Sequence, residues 1–299
     1  MNKVKLFNEN LEIGGYILPT DFVCINESLI KNAQNLDFFD AYKLIYEYIS
    51  ESKLPADAFA NLSGVEMPLS IVNFDENLSA VEMFDGKNAV YTDYIVDNSS
   101  IFTKICSLVT VFILCYIDMV NLEIINANEK VNFSLPSCDF LIPLSLYVAK
   151  KCGLPINKIL LGSTGYDSNI VKDFFLSTIT EEDENDAISI FFEEEGYLFD
   201  PISIRGLIAQ EDYYSDYEDN KTTVVLSLIS PYLFARRIYK ILTYKNELNI
   251  QKAINGIYNE TAMEIPESLN SGDIEPFYKE PCDNELKDLL NLIKSSNKV

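Results

Sequence analysis

Cys138 is the residue whose type and position most favour chemistry, because it lies at the start of a predicted helix, after a predicted strand. A helix N-terminus lowers the pKa of a thiol and makes the thiolate a better nucleophile. The chain of 299 residues contains no histidine, so no imidazole base can activate a thiol or a serine hydroxyl. Asp139 also opposes formation of a thiolate. An enzyme with altered chemistry at Cys138 is therefore one hypothesis, and an ordinary buried cysteine is its alternative.

The charge and composition of the chain limit its partners. It has 46 acidic and 23 basic side chains, for a net charge of −23. Because phosphate binding depends on Lys and Arg, we expect neither nucleic acid nor an anionic membrane surface as a partner. A zinc site would need cysteines and carboxylates alone, and the six cysteines contain no C-x-x-C pair. We therefore predict no metal site and reduced thiols, in a cytoplasmic protein without a signal peptide.

Two acidic clusters could form a docking surface for a basic protein. They read EEDEND at residues 181–186 and EDYYSDYEDN at residues 211–220. Aromatic residues are enriched in interfaces, so the tyrosines of the second cluster favour this function. The alternative is that both clusters are solvated loops or helix N-termini that only aid solubility. The candidate partner-binding residues are Glu181, Glu182, Asp183, Glu184, Tyr213, Tyr214 and Tyr217.

The elements that must position these residues begin with a part that we predict to be mostly helical, at residues 1–70. Residues 37–51 carry apolar side chains at helical spacing. Further along, residues 105–117 contain no charge, but these thirteen residues are too few to span a bilayer. They predict a helix that is buried in a large core.

Strands and helices alternate in the rest of the chain. Residues 69–74 and 79–84 predict a hairpin. A strand at 130–135, a helix and a strand at 156–161 predict a βαβ unit with parallel strands. The pattern is typical of an α/β fold with a mostly parallel sheet. The other predicted elements are a helix at 144–151, a central parallel strand at 222–227, a helix at 232–242 and an amphipathic helix at 284–296.

Several motifs, in collinear order, resemble threonine synthase, a pyridoxal-phosphate enzyme of fold type II. VEMFDGKNAVYTDY at 81–94 resembles the family's L-E-L-F-H-G-P-T-x-A-F-K-D-F, and GGYILP at 14–19 resembles its G-G-L-Y-V-P. Residues 131–162 resemble its V-P-T-G-N-F-G-D loop with the helix and G-L-P-I-x-K strand that follow. YLFDPISIRG at 197–206 resembles D-P-H-T-A-V-G, and VVLSLISPYLF at 224–234 resembles L-S-T-A-H-P-A-K-F.

This resemblance implies the fold of the large domain of fold type II enzymes, a three-layer α/β sandwich with a mostly parallel sheet. It also implies that a small mobile domain, which carries the family's S-G-D-T-G substrate-phosphate motif, has been deleted near residues 94–98. We therefore predict a helical region at 1–70, packed on a threonine synthase-like core at 71–299.

The resemblance also implies that pyridoxal phosphate binding has been lost, so that no cofactor is expected. The family's lysine, which holds the cofactor as a Schiff base, corresponds to Thr92, whose hydroxyl cannot form an imine. Two glycines of the phosphate loop correspond to Cys138 and Leu141, and the hydroxyl near the pyridine nitrogen corresponds to Leu228. The three family histidines are replaced by Asp85, Ile202 and Ser230.

Three functions remain open on the sequence. The first is a catalytically inactive threonine synthase-like pseudoenzyme that acts as a scaffold or regulator and binds a protein, either a basic one or a related threonine synthase-like chain. The second is a small-ligand binding protein whose remnant cleft prefers an amine or a cation. The third is the altered chemistry at Cys138. The candidate residues of the remnant cleft are Asp85, Asn88, Thr92, Asp93, Ser137, Cys138 and Asp139.

Overall fold

A computed structural model describes residues 2–6, 11–13, 16–55, 58, 69–84, 100–137, 140–164, 170–171, 173–269 and 290–291. The strands are β1 Lys3–Lys5, β2 Leu11–Ile13, β3 Tyr16–Leu18, β4 Asp21–Val23, β5 Ser70–Asn73, β6 Leu78–Glu82, β7 Val131–Pro136, β8 Ile156–Ser163, β9 Ile170–Val171, β10 Phe174–Thr178 and β11 Thr223–Ser227. The α-helices are α1 Glu27–Ala33, α2 Phe38–Ser50, α3 Ile101–Asn121, α4 Leu141–Cys152, α5 Glu181–Glu195, α6 Ile204–Asp216, α7 Ala235–Thr243 and α8 Ile250–Thr261. Two 3-10 helices span Pro231–Phe234 and Glu267–Leu269.

A sheet of seven strands, in the order β5-β6-β11-β7-β8-β10-β9, runs through the middle of the fold. Its five inner strands are parallel, and the edge strands β5 and β9 are antiparallel to their neighbours. The predicted hairpin is confirmed as β5 and β6, and the predicted βαβ unit as β7, α4 and β8. β11, which is rich in β-branched residues, lies between β6 and β7 as predicted for a central strand.

Helices cover both faces of this sheet. Successive side chains of a strand point to opposite faces, so one strand contributes to a core on each side. On β11, Val224 and Leu226 pack into a core with α2, α3 and α4. Val225, between them, packs into a second core with α5, α6, α7 and α8. The predicted three-layer sandwich is therefore confirmed.

Helix α3 forms the centre of the first core. It is apolar around its whole circumference, and the hydroxyls of Ser107 and Thr110 donate to the carbonyls of Thr103 and Cys106 within the helix, at 3.0 and 2.8 Å. Among the described residues it is the one helix that is long and apolar enough to cross a membrane, with a mean hydropathy of 1.9. Within its most apolar segment of 18 residues, 78% is buried against the rest of the fold. α3 is therefore a core helix, as predicted.

The N-terminal part is less helical than predicted. α2 is confirmed, but the sequence analysis missed two antiparallel pairs, β1 with β4 and β2 with β3. These strands have only three residues each, which is too short to produce a clear alternation of apolar and polar side chains. The predicted deletion point near 94–98 lies outside the described residues, as does the helix predicted at 284–296 except for residues 290–291.

Candidate functional site

The carboxyl ends of the parallel strands meet at one edge of the sheet, which is where ligands bind in open α/β folds. Glu82 ends β6 and Ser227 ends β11, and these two residues are direct partners in the parallel pairing. Ser137, which follows β7, is buried, and its backbone N–H donates to the carbonyl of Gly162 at 2.9 Å. This edge therefore collects polar residues from three neighbouring strands.

A group of polar side chains near this edge is poorly satisfied by hydrogen bonds. We call Glu82, Tyr197, Asp200 and Ser227 the buried polar cluster, because the side chains of Glu82, Ser227 and Asp200 all shift the pKa of Tyr197. Three of its buried atoms make no hydrogen bond of normal geometry with a described residue, namely Tyr197 Oη, Asp200 Oδ2 and Ser227 Oγ. Asp200 and Ser227 are fully buried. Because buried polar atoms in folded proteins are almost always paired, this concentration needs an explanation.

The local fold explains the hydrogen bonds of one of the two Asp200 carboxylate oxygens. Asp200 precedes α6, and its Oδ1 accepts from the backbone N–H groups of Ile202 and Ser203 at 2.8 and 3.0 Å. These bonds satisfy N–H groups at the start of the helix, which have no partner within it. The Oδ2 atom is not needed for this role and has no partner among the residues that the structure describes.

Burial sets the titration of the cluster. It raises the pKa of Asp200 to about 6, against the lowering effect of the bonds from Ser203 and Ile202. It also raises the pKa of Glu82. The pKa of Tyr197 is raised first by burial and then by the negative charge of Glu82. The cluster at neutral pH thus combines an ionised carboxylate with neutral hydroxyls.

Asp200 is expected to make stability fall as pH rises. Its pKa in the folded state lies above the ordinary value of 3.8, so the folded state binds more protons than the unfolded state between about pH 4 and pH 6. Asp200→Asn keeps the Oδ1 acceptor and removes the titration. We expect Asp200→Asn to gain stability relative to wild type as the pH rises. The free energy of unfolding of the variant minus that of wild type, measured in a buffer without amines, should be about 2 kcal/mol higher at pH 7.5 than at pH 4. Urea denaturation at both pH values tests this, and an equal difference at the two values would contradict it.

The two acidic clusters of the sequence meet at a second site, a groove between α5 and α6. This acidic groove has a volume of about 410 Å³. Among the described residues that line it, none is basic. Its lining consists of the carboxylates of Asp183, Asp186, Glu194, Glu211 and Asp212, together with Thr178, Ala187, Ile190, Phe191, Leu207 and Ile208.

The sequence of α5 places its carboxylates toward this groove. Thr180 caps the helix: its Oγ1 accepts from the Asp183 N–H at 3.2 Å, and its own N–H donates to Asp183 Oδ2 at 2.8 Å. The residues Asp183, Asp186, Ile190 and Glu194 recur every three or four positions and therefore share one face. The first acidic cluster is thus a helix N-terminus, one of the two alternatives for it.

The structure corrects the list of partner-binding residues. Glu184 is buried, with its Oε1 2.6 Å from Arg205 Nε and its Oε2 2.6 Å from Arg237 Nη2, so it is not available to a partner. Tyr213 is buried and donates to Asp219 Oδ2 at 3.0 Å.

Of the five other predicted partner-binding residues, four are exposed and one is half-buried. Glu181, Glu182 and Asp183 are exposed in the first turn of α5. Tyr217 is 38% exposed and stacks on Tyr213, with ring centroids 5.0 Å apart. Tyr214 is half-buried, and its hydroxyl donates to the carbonyl of Lys221. The predicted docking surface is therefore smaller than the sequence suggested, and it adjoins the acidic groove.

Most of the predicted remnant cleft lies outside the described residues. This holds for Asp85, Asn88, Thr92, Asp93, Cys138 and Asp139, so Ser137 is the one cleft candidate with a described position. The four described cysteines are free thiols, and burial raises the pKa of Cys106 and Cys152 to about 12. The sequence analysis missed Glu82, Tyr197 and Asp200, although all three lie within motifs that carry the family resemblance.

Two positions that the resemblance assigns to pyridoxal phosphate are described, and they do not fit it. Leu228, at the position of the hydroxyl near the pyridine nitrogen, is fully buried and apolar. Its backbone N–H donates to Ser203 Oγ at 2.9 Å. Leu141, at a glycine of the phosphate loop, is buried in the first turn of α4. The Leu228 side chain therefore offers no hydrogen bond to a pyridine nitrogen.

Comparison with known proteins identifies related folds. No family model matches the chain, and no curated protein is matched by its sequence. Among solved structures, threonine synthase from yeast aligns with 98% of this chain and 95% of its own, at a TM-score of 0.64 and 12% identity. Threonine synthase from Escherichia coli aligns with 94% of this chain and 93% of its own, at a TM-score of 0.61 and 9% identity. The pyridoxal-phosphate-bound threonine synthase from Brucella melitensis aligns with 96% and 94%, at a TM-score of 0.54 and 12% identity. The chain therefore has the fold of the threonine synthases, pyridoxal-phosphate enzymes of fold type II.

Proposed function

We propose that the protein is a threonine synthase-like pseudoenzyme that binds neither pyridoxal phosphate nor a metal and acts as a scaffold or regulator in the cytoplasm. The fold supports common descent with threonine synthases. Thr92 at the lysine position and Leu228 at the ring-nitrogen position support the loss of the cofactor. A small mobile domain that is deleted near 94–98 would remove the substrate-phosphate motif as well.

The observation that carries the binding proposal is the convergence of both acidic clusters on the acidic groove. Burial, followed by the charges of Asp212 and Glu194, raises the pKa of Glu211, so these carboxylates repel one another. A lysine or arginine placed between them would relieve this repulsion. The groove also exposes apolar surface, since Ile190 is 54% exposed. A basic amphipathic segment of a protein partner would satisfy both features.

Affinity purification from the native host tests this proposal. We expect the chain to capture a protein with a basic segment, and a triple variant with Asp186→Asn, Glu194→Gln and Glu211→Gln to capture at least about tenfold less of it. The matched control changes three exposed carboxylates elsewhere, Glu260→Gln, Glu264→Gln and Glu267→Gln, and should capture the wild-type amount. Equal capture by both variants would overturn the groove as the binding surface, and capture of a related threonine synthase-like chain would identify the other partner considered.

The absence of catalysis is tested on the same purified protein. We expect it to be colourless and to release no threonine from O-phosphohomoserine. A yellow protein whose colour borohydride fixes onto a lysine would contradict the proposal, because that result requires an internal Schiff base.

A further inference from the structure

The buried polar cluster takes no part in the proposed partner binding, and its cost is high. Leaving one buried donor or acceptor without a partner costs about 1–3 kcal/mol. Here Tyr197 Oη, Asp200 Oδ2 and Ser227 Oγ make no hydrogen bond of normal geometry with a described residue, although Tyr197 lies close enough to Ser227 and Glu82 for both to shift its pKa. Other buried hydroxyls of the described chain are paired, such as Ser145 Oγ, which donates to the carbonyl of Leu141 at 2.7 Å. The cluster is thus an exception within its own fold.

The position of the cluster is that of a ligand site. Ser227 and Glu82 are neighbours across β11 and β6, at the carboxyl ends of two inner strands. Glu82 is partly exposed, so the cluster reaches toward solvent at this member. Tyr197 is held by edge-to-face contacts with Phe74 and Phe199, at 5.3 and 4.7 Å between ring centroids. The packing of its ring therefore holds the Tyr197 hydroxyl in place.

We propose that the buried polar cluster binds the protonated amino group of a small primary amine. An ammonium offers three N–H donors and no acceptor, which matches the carboxyl oxygens of Asp200 and Glu82 and the hydroxyl oxygen of Ser227. The charge of the neighbouring Arg205 lowers the pKa of Asp200, but Arg205 pairs with Glu184, and Asp200 Oδ2 is left without a hydrogen-bond donor among the described residues. An anion would be repelled by the Asp200 carboxylate, which is ionised at pH 7.5.

A divalent metal ion fits the cluster less well than an amine. The described residues contain no group of three carboxylate, cysteine or histidine side chains that could hold a metal ion. Hydroxyl oxygens and two carboxylates suit a ligand that donates hydrogen bonds more than one that needs several charged ligands. Ordered water is the remaining occupant, and the experiment below separates it from an amine.

Thermal unfolding with ethanolamine as the probe tests the proposal. We expect about 100 mM ethanolamine hydrochloride at pH 7.5 to raise the melting temperature by about 2–3 °C relative to the same concentration of KCl. Ethylene glycol, which lacks the ammonium, should produce no shift. Asp200→Asn and Ser227→Ala should each abolish at least half of the shift, whereas Ser145→Ala, which removes a paired hydroxyl within α4, should retain it.

Several outcomes would overturn the proposal. These are a shift that KCl or ethylene glycol reproduces, a shift that Asp200→Asn retains in full, and no shift with ethanolamine, which would leave water as the occupant. Far-UV circular dichroism of each variant checks that it folds. The acidic-groove triple variant should keep the ethanolamine shift, so a failure of this proposal is distinguishable from a failure of the proposed partner binding.

Discussion

Replacing Glu184 with glutamine is expected to lower the free energy of unfolding by about 3–5 kcal/mol, because it breaks a buried ion pair from one side. The Glu184 side chain is 1% exposed, and its two oxygens contact Arg205 and Arg237, each at 2.6 Å. These contacts tie α5 to α6 and α7. Glutamine has nearly the same shape but carries no charge, so the buried Arg205 guanidinium loses the carboxylate that compensates its desolvation.

Glu182→Gln is the matched control for this prediction. Glu182 lies two residues earlier in the same helix turn but is exposed, so its replacement should change stability by less than about 0.5 kcal/mol. Urea denaturation at pH 7.5, followed by circular dichroism, measures both variants. A loss of less than about 1 kcal/mol for Glu184→Gln would contradict this prediction and show that the ion pair contributes little to stability.

Gly162→Ala is expected to destabilise the fold by about 3 kcal/mol or more, and to reduce the yield of folded protein. Gly162 lies in β8, where α6 packs directly on the sheet. A Cβ atom at this position would lie 2.1 Å from the carbonyl oxygen of Arg205 and 2.7 Å from its Cβ. Backbone atoms cannot rotate away, so the helix as a whole would have to move.

A second glycine separates this steric effect from the general cost of replacing glycine. Gly196 ends α5 with a φ of 70°, and a Cβ atom there would meet no atom within 4 Å. Gly196→Ala should therefore cost only about 1 kcal/mol, for the left-handed backbone conformation. Thermal and urea denaturation of the two variants provide the comparison. Equal losses would contradict the close packing of α6 on β8.

The inner strands and the core helices could be predicted from the sequence because each carries a strong local pattern. β11 is a run of β-branched residues, and α3 contains an uncharged apolar run at residues 105–117 that predicts a buried helix. The short strands β1 to β4 could not be predicted, since three residues do not establish a period. Their pairing depends on contacts with the rest of the chain.

The site was less predictable, because acidic residues that look the same in the sequence differ in how deeply they are buried. Glu184 belongs to a run of acidic residues, and the sequence alone treats it like its exposed neighbours. Its partner Arg205 is 21 positions away, so no local pattern reveals the pair. A helical reading of Glu184, Ile188 and Phe191, which are spaced by four and three residues and are all buried, could have found it.

The buried polar cluster was missed for a different reason. Asp200 and Glu82 lie within the motifs that resemble the family, but the sequence analysis concentrated on the positions where the family's residues are replaced. Whether a polar atom has a partner is a property of three-dimensional packing, and no spacing in the sequence reports it.

The burial of α3 also has a consequence for the synthesis of the protein. Its apolar window has the length and hydropathy of a membrane anchor, and α4, which covers part of it, is translated later. A nascent chain that ends before residue 141 would therefore expose an apolar helix that resembles the membrane-spanning segment of an integral membrane protein. α2 is already available to cover α3 when α3 emerges, but α4 is not, so a truncation ahead of α4 is expected to leave part of this apolar helix exposed and to favour aggregation.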